Sequence, residues 1–454
     1  MRGPYDVLVV GAGAVGLSIA YELARRGASV AVIEKEAEAG FGVSKGHAGV
    51  IHVLQLPLGS LKSRLAIYGN KMYDKWAAEL GVKPWRLPAL LVASSPLQLP
   101  LVLLLYPFLR AYYGRRGFAI SLVSGRELRE REPNLNALGA IRVDGYAVAD
   151  PFELTYRLYE AAKEMGAEFY FNVEAELLEE SEEGVKVKSS AGAFSSRYAV
   201  NAAGLYSDLL AGERLKPKRG VMVVFDRLQA KSIVAPISLS QLVRAETKGG
   251  GIIPTAWGHT IWGPGFSEGD KEDTAVYPQD VMALLSRFGS LVRRKGRLLK
   301  GYAGVRPASP ARDFMMFYSP RKRIVHLVGI ESPGFTALPA LALMVLKMLQ
   351  RSGLSLGAPR LPRPPKPLTR ELLAAGKEVR GEKGKILCHC MRVSVGDVLE
   401  AMERGASTLD GVMFRTKLGM GPCQGQHCMG RAAALLLKLR GEVTKSGGNS
   451  WIAR

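Results

Sequence analysis

Four cysteines near the C-terminal end are the side chains best suited to chemistry in this sequence. They occur as Cys388-His-Cys390 and Cys423-Gln-Gly-Gln-His-Cys428, and no cysteine precedes them. Two thiol pairs on short loops supply four soft ligands, which suit either a 2Fe–2S cluster or a zinc ion. This distribution argues against disulfides spread through a secreted fold. The sequence therefore predicts a metal centre at these four residues.

A glycine-rich turn near the N-terminus has the spacing of a dinucleotide site. The apolar run 6–10 leads into Gly11-Ala-Gly-Ala-Val-Gly16, a helical pattern, and a second apolar run that ends at Glu34. Gly11 permits a tight turn, Gly13 lets backbone amides approach a pyrophosphate, and Gly16 lets the helix pack on the strand. The helix N-terminus would then face the phosphates, and Glu34 would accept hydrogen bonds from a ribose hydroxyl.

The elements that must position these groups alternate between strands and helices, which indicates an α/β fold. Two β-rich segments, 169–204 and 220–264, follow, and a later apolar strand at 324–329 leads into another glycine-opened helix. The Pro-rich, basic stretch 353–385 is typical of an exposed, semi-rigid linker. The cysteine-bearing segment beyond it should therefore be a separate small module.

Composition and charge limit the classes of function. The chain has 454 residues, of which 47% are hydrophobic and 23% charged, and its formal charge is +21. This charge favours anionic partners. We expect no nucleic-acid binding, because the basic residues lie mainly in the linker and at 293–297, without interleaved stacking aromatics. Since no signal peptide or spanning segment is visible, we expect a cytoplasmic protein, with peripheral attachment to the inner face of the membrane as the alternative.

Further glycine-rich segments follow in a fixed order: Gly40-Phe-Gly-Val-Ser-Lys-Gly-His-Ala-Gly49, Tyr198-Ala-Val-Asn-Ala-Ala-Gly204, Gly301-Tyr-Ala-Gly-Val-Arg-Pro307 and Gly334-Phe-Thr336. With the N-terminal turn, this order resembles the FAD-dependent oxidoreductases of the D-amino-acid oxidase and glycerol-3-phosphate dehydrogenase superfamily, over residues 5–350. The most similar branch holds anaerobic-type glycerol-3-phosphate dehydrogenases and L-2-hydroxyglutarate dehydrogenases.

The cysteine spacing, together with Met420-Gly-Pro-Cys423, resembles the bacterioferritin-associated-ferredoxin type of domain. That resemblance implies a 2Fe–2S cluster on Cys388, Cys390, Cys423 and Cys428, with structural zinc as the alternative. It also implies that electrons leave through the cluster to an acceptor protein or a quinone.

Together the two resemblances imply a Rossmann-like FAD-binding domain interleaved with an antiparallel-sheet substrate domain, plus the small C-terminal Fe–S module. We expect these boundaries: FAD-binding domain 1–75, 150–215 and 300–352; substrate domain 76–149 and 216–299; linker 353–385; cluster domain 386–440.

The resemblance implies a set of FAD contacts along the whole first part of the chain. Glu34 would hold the adenosine ribose and the backbone of Val173 the adenine, while the helix that opens at Gly334 would lie under the flavin ring. Its dipole would stabilise negative charge on the reduced ring. The implied FAD contacts are Gly11, Gly13, Val15, Gly16, Glu34, Lys35, Ser44, Ala48, Gly49, Val173, Ala203, Gly204, Gly329, Gly334, Phe335 and Thr336.

Hydride transfer from an alcohol requires a base for the hydroxyl proton and a cation for the anionic group of the substrate. The resemblance offers His52 or His259 as the base and Arg306 as the cation, whose planar fork suits a carboxylate or a phosphate. We expect His47 and His326 to be structural.

Two departures from the glycerol-3-phosphate enzymes leave the substrate class open. The chain lacks the Arg-Tyr pair that follows the histidine in several members, and it has no lysine in the final glycine motif. The first candidate is a dehydrogenase of a small anionic alcohol similar to glycerol 3-phosphate. The alternatives are an L-2-hydroxyglutarate or other 2-hydroxy-acid dehydrogenase, an amine or amino-acid dehydrogenase, and a non-catalytic FAD/Fe–S electron-transfer subunit.

The segment 97–116 begins with an apolar run and ends with arginines and tyrosines. It is too short to span a bilayer. It suits either a buried core or subunit-interface segment, in a protein that we expect to be an oligomer, or an anchor in the membrane interface.

Overall fold

Two large β-sheets and a small C-terminal module account for most of the described structure. The computed structural model describes residues 2–238, 249–365, 368–379 and 381–440. Residues 239–248 of the predicted substrate domain and residues 366–367 and 380 of the predicted linker lie outside this part. The predicted domain boundaries stay a prediction.

The strands are β1 (Arg2–Val10), β2 (Val30–Glu34), β3 (Val50–Ile51), β4 (Trp85–Arg86), β5 (Ala89–Ala93), β6 (Ile120–Ser124), β7 (Gly139–Val143), β8 (Ala147–Val148), β9 (Glu168–Phe171), β10 (Ala175–Glu180), β11 (Val185–Ser189), β12 (Gly192–Asn201), β13 (Lys216–Phe225), β14 (Ile233–Pro236), β15 (Gly251–Pro254), β16 (Thr260–Glu268), β17 (Leu298–Ala308), β18 (Met315–Tyr318), β19 (Ile324–Val328), β20 (Ile386–Cys388) and β21 (Val393–Ser394). The α-helices are α1 (Ala14–Ala24), α2 (Leu61–Glu79), α3 (Leu99–Gly114), α4 (Gly125–Arg131), α5 (Pro151–Glu164), α6 (Ser207–Ala211), α7 (Pro278–Gly289), α8 (Gly334–Arg351), α9 (Thr369–Ala374), α10 (Val395–Glu403), α11 (Leu409–Thr416) and α12 (Met429–Arg440).

The first sheet forms around β1, which pairs in parallel with β2 on one side and β12 on the other. Its strand order is β10-β11-β12-β1-β2-β9, with β19 beside β12 and β18 beside β19. Val7 and Val9 pack in a core cluster with α1 and α8, while Leu8 and Val10 face a second cluster on the opposite side. Burial on both faces explains why the sequence of β1 is a continuous apolar run.

Helix α1 packs closely on β1 because Gly16 has no side chain. A Cβ atom at this position would lie 1.9 Å from the carbonyl oxygen of Gly11. Helices α2 and α8 approach each other in the same way at Gly69, where a Cβ atom would lie 2.2 Å from the carbonyl oxygen of Thr336.

The second sheet has the strand order β17-β13-β16-β15-β14-β5-β7-β6. All its pairs are antiparallel except β14 with β5, which are parallel. One face carries a core around Trp262, which packs against Phe225 and Phe288. Helix α3 and its neighbours cover the other face.

The C-terminal module has its own hydrophobic core, formed by β20, β21 and helices α10 to α12. The proline-rich chain before it follows the end of α1, where the amides of Gly357 and Arg360 donate to the carbonyls of Arg26 and Arg25 at 2.9 and 2.8 Å. Within the described ranges, no helix is long and apolar enough to cross a membrane.

Substitution of Gly69 by alanine should destabilise the protein by about 1–3 kcal/mol, because the added methyl group must separate α2 from α8. Urea unfolding measures this change. The matched control is Gly430→Ala in α12, where a Cβ atom would meet nothing within 4 Å. That variant should be unchanged or more stable by up to about 1 kcal/mol, and equal effects of the two substitutions would contradict the close packing at Gly69.

Candidate active site and metal centre

A cavity of about 1140 Å³ lies where the first sheet, the second sheet and the start of α8 meet. It exceeds the roughly 300–1,000 Å³ of ordinary small-molecule pockets, so it has room for a large cofactor and a substrate. Of the predicted cofactor contacts, the cavity is lined by Gly11, Gly13, Val15, Glu34, Lys35, Ser44, Ala48, Gly49, Val173, Ala203, Gly204, Gly334 and Phe335.

Three of the predicted contacts lie outside this lining, each for a packing reason. Gly16 packs against the backbone of Gly11, directly after β1, and a Cβ atom at Gly329 would lie 2.7 Å from the Cβ of Ser309. Thr336 is fully buried, where its Oγ1 accepts a hydrogen bond from the amide of His52 at 3.0 Å. These three residues pack against the backbone that carries the lining residues and do not face the cavity.

The end of the cavity beside α1 fits a dinucleotide. Glu34 accepts hydrogen bonds from the amides of Ala12 and Glu36 at 2.6 and 2.9 Å, and burial raises the pKa of its carboxyl group. A Cβ atom at Gly13 would project into the cavity, with only Ser44 Oγ within 4 Å. No acidic residue occupies the first turn of α1, so its partial positive charge is available to a phosphate.

Arg306 presents an unsatisfied donor at the other end of the cavity. It lies on β17, opposite Lys218 of β13, with its guanidinium 3.9 Å from the centre of the Phe266 ring. Its Nη1 is buried and has no hydrogen-bond partner in the described structure. Burial lowers the pKa of Arg306 to about 10, against the effect of Glu331. A buried, unpaired guanidinium N–H is costly unless an anion binds it.

His52 lines the same cavity and is held there by its backbone. Its amide donates to Thr336, and its carbonyl accepts from Asn70 Nδ2 at 2.9 Å. Burial, together with the charge of Arg306, lowers the pKa of His52 to about 4. The imidazole is therefore neutral at pH 7.

His259 does not reach His52 and Arg306. It lines a second, smaller cavity of about 130 Å³, together with Lys45, Lys300 and Trp257. Its hairpin turn is closed by Thr255, and burial lowers the pKa of His259. The structure thus separates the two histidines that the sequence offered as bases.

His47 and His326, which we expect to be structural, are both held by local contacts. His47 lies between the cavities, with its ring 4.4 Å from that of Phe335, and its Nδ1 accepts a hydrogen bond from the amide of Gly49. His326 lies inside β19, stacked on Phe317.

The sequence did not reveal a buried ion pair at the cavity, near Arg306. Lys62 Nζ lies 3.6 Å from Glu331 Oε1, and both side chains are only 2% exposed. Glu331 lines the main cavity. The only sequence signal for this pair was the position of Glu331 just before the final glycine motif. Nothing in the polar stretch around Lys62 indicated that Lys62 is buried.

The four cysteines lie as two neighbouring pairs, Cys390 with Cys423 and Cys388 with Cys428. Burial, with Cys388 nearby, raises the pKa of Cys428 to about 12. Against the effect of burial, amides of the 425–427 turn lower the pKa of Cys423. No group of three or more His, Cys, Asp or Glu among the described residues already has the arrangement of a metal site. The donor set still fits a cluster, because it offers four thiols and amides that stabilise thiolate.

Comparison with known proteins defines the class of protein. A family model described as FAD dependent oxidoreductase matches residues 6–348, and one described as BFD-like 2Fe-2S binding domain matches residues 386–438. The chain therefore belongs to the FAD-dependent oxidoreductase family and carries a C-terminal 2Fe–2S domain. Its cofactors are FAD and a 2Fe–2S cluster, so the zinc alternative is set aside. The predicted family, fold class, enzyme class and cofactors are confirmed.

Several individual proteins are similar to this chain over most of its length. The chain is 28% identical to a glycerol 3-phosphate dehydrogenase of Caloramator mitchellensis, over 99% of this chain and 98% of the relative. It is 25% identical to a subunit of the anaerobic glycerol-3-phosphate dehydrogenase of Escherichia coli K12, over 95% of this chain and 88% of that subunit. Its fold is similar to that of the FAD-bound L-alpha-glycerophosphate oxidase of Mycoplasma pneumoniae, with a TM-score of 0.72, 23% identity, and coverage of 80% and 98%.

The lowered pKa of His52 predicts a loss of stability in acid. An exposed histidine has a pKa of about 6.5, so between pH 6.5 and pH 4 the unfolded chain binds more protons than the folded one. The free energy of unfolding must therefore fall as the pH falls through this range. Between pH 6.5 and pH 5, the loss should be about 1.5 kcal/mol smaller in His52→Gln than in the parent. Urea unfolding at both pH values measures this, and parallel losses would contradict a buried, neutral His52.

Proposed function

We propose that the protein is an FAD-dependent dehydrogenase that oxidises a small anionic alcohol of the glycerol 3-phosphate type. The substrate C–H bond would break with transfer of a hydride to FAD, and the hydroxyl proton would pass to His52. Arg306 would hold the anionic group. The observation that carries this proposal is the buried Nη1 of Arg306, which lacks a partner in the described residues beside a neutral imidazole.

The charge on Arg306 explains why the substrate should be an anion. Removing a guanidinium from water is expensive, and a bidentate contact with an oxyanion restores two hydrogen bonds and the opposite charge. The neighbouring acid, Glu331, is already paired with Lys62. Relatives whose names specify glycerol 3-phosphate support phosphate as the anion.

A second candidate substrate is a 2-hydroxy acid. The residues after His52 read Val-Leu-Gln-Leu-Pro and supply no second cation. A single guanidinium matches a carboxylate as well as a phosphate, so an L-2-hydroxyglutarate-like substrate uses the same pocket. An amino acid would also present a carboxylate, but it would bring a cationic amine towards Arg306.

We further propose that the electrons leave singly through the 2Fe–2S cluster to an acceptor protein or a quinone. The cluster domain and the family names support this route, because a 2Fe–2S centre carries one electron at a time. The predicted oligomer stays a prediction.

Anaerobic mixing with glycerol 3-phosphate should bleach the flavin absorption of the purified protein. In Arg306→Leu, FAD should stay bound while kcat/KM falls about 30- to 5,000-fold, because a charge-assisted contact in a desolvated pocket is worth about 2–5 kcal/mol. Arg306→Lys should recover only part of this loss, since a point charge cannot reproduce the fork.

A parallel set of 2-hydroxy acids and amino acids identifies the substrate class. Bleaching by a 2-hydroxy acid alone would show that the anionic group of the substrate is a carboxylate and not a phosphate. No bleaching by any of them would favour the non-catalytic electron-transfer subunit. Unchanged kinetics in Arg306→Leu would remove this residue from the site.

We also propose that α3 contacts an anionic membrane surface. Its solvent-facing side is apolar along its length, through Pro100, Leu103, Leu104, Pro107, Phe108 and Ala111. Leu103, Leu104 and Phe108 are 63%, 71% and 52% exposed. Arg110 and Arg115 flank this stripe, as expected for a helix that lies in the head-group region.

The position of α3 beside the main cavity suggests a role for this membrane contact. Leu105, Phe108 and Leu109 also line the main cavity, so the apolar stripe borders the cavity wall. A membrane-bound orientation would bring that wall to the lipid, where a quinone dissolves.

Leu103→Asp with Leu104→Asp should weaken binding to phosphatidylglycerol-containing vesicles about tenfold or more, because two apolar side chains would leave the lipid. Co-sedimentation measures binding. The matched control is Leu361→Asp, which changes a leucine that is 69% exposed elsewhere. Equal binding of both variants, or no binding by the parent, would contradict the membrane contact. A change of oligomeric state in the first variant alone would instead identify α3 as a subunit interface.

A further inference from the structure

The C-terminal module is fastened to the FAD-binding part by a buried acid, Glu38. Its Oε1 accepts hydrogen bonds from the amides of Ser407 and Thr408 at 2.8 and 2.7 Å, and from Thr408 Oγ1 at 2.7 Å. Its Oε2 lies 2.6 Å from Arg415 Nη1, and these two side chains are 2% and 6% exposed. One carboxylate therefore accepts hydrogen bonds from the donors at the start of α11 and also pairs with Arg415 within that helix.

A second buried ion pair joins three parts of the molecule at Asp150. Lys417 Nζ of the module lies 2.6 Å from Asp150 Oδ2, with exposures of 5% and 4%. The same oxygen accepts a hydrogen bond from Trp257 Nε1, on a hairpin of the second sheet, at 2.8 Å. The other oxygen caps α5 through the amide of Phe152 at 2.9 Å.

Aromatic stacking fixes the orientation of the interface between the two ion pairs. The rings of Phe152 and Phe414 are parallel within 5°, with centres 4.4 Å apart. Phe41 meets the edge of Phe414 at 5.7 Å. Stacking of this kind sets a direction as well as a contact.

The docked module faces the cavity system through its cluster-bearing side. Met391 and Met420 line the small cavity, and they lie next to Cys390 and three residues before Cys423. Lys45, His47 and Ala48 also line this small cavity, and the whole loop Lys45–Ala48 lines the main cavity. This one loop thus lies between the flavin cavity and the cluster-bearing side of the module.

We propose that Arg415 and Lys417 are positioning residues that hold the 2Fe–2S cluster against the loop 45–48, across which electrons pass from reduced FAD. Reduced FAD would give up two electrons in two single transfers and release its proton to water. Each electron would reduce the cluster once, and a one-electron acceptor would reoxidise it. The proposal rests on the proposed electron exit, and it does not depend on which substrate reduces the flavin.

The energetics of buried ion pairs support a positioning role. Such pairs gain little net stability, because desolvation offsets their attraction, yet an unpaired partner is strongly unfavourable. The arrangement that pairs both Glu38 and Asp150 is therefore the favoured one, and rotated or separated arrangements leave buried charges unpaired.

The test compares Lys417→Met with Lys438→Met, which removes an exposed lysine from the same module. FAD is reduced photochemically with EDTA as the electron donor, so no substrate is required, and the spectrum of the reduced cluster is followed with time. Lys417→Met should slow cluster reduction tenfold or more, Lys417→Arg should restore it, and Lys438→Met should match the parent. Equal rates in Lys417→Met and Lys438→Met would overturn the proposal.

A second measurement follows amide hydrogen exchange in the holoprotein. Hydrogen exchange of the amides of Ser407 and Thr408, which bond Glu38, should accelerate about tenfold in Arg415→Met with Lys417→Met. Exchange within α12 should stay unchanged, because the module keeps its own core. Acceleration throughout the module would mean unfolding and would overturn a specific docking role. Because neither measurement uses substrate, failure to bleach with glycerol 3-phosphate would affect the proposed substrate alone.

Discussion

The close approach of α1 to β1 at Gly16 is the constraint on which the flavin site depends. Because no side chain separates the helix from the carbonyl oxygen of Gly11, the first turn of α1 lies at the edge of the cavity. The same geometry leaves Glu34, at the end of β2, within hydrogen-bond distance of the amide of Ala12. The turn and Glu34 together form the end of the cavity at which we expect the phosphates and the ribose to bind.

The parts of the site that sequence could predict are those that a short motif carries. The turn at Gly11–Gly16, the acid at Glu34 and the helix opening at Gly334 each bring their own backbone geometry, and all reach the cavity. The strands followed from continuous apolar runs such as Val7–Val10, which are buried on both faces. Local spacing also indicated the four cysteines as candidate ligands, because metal ligands on short loops are close in sequence as well as in space.

Contacts between distant segments could not be predicted from such patterns. His259 and His52 looked equivalent in sequence, yet the hairpin that carries His259 points it into a separate cavity. Arg415 and Glu38 meet although 377 positions separate them, and no local pattern distinguishes either from a solvated charge. The apolar stretch in 97–109 indicated burial or lipid contact, but only the helical phase of α3 separates the face that packs from the face that does not.

The docking of the module through complementary charges gives the covalent linker a thermodynamic role. Glu38 and Asp150 on one side, and Arg415 and Lys417 on the other, meet as two separate proteins would at an interface. Tethering turns such an encounter into an intramolecular one, with an effective concentration that the length and stiffness of the linker determine. A dissociation constant well below that effective concentration is enough to keep the module docked at any dilution of the protein. The fusion thus allows an interface too weak for a stable two-chain complex to hold two redox centres together.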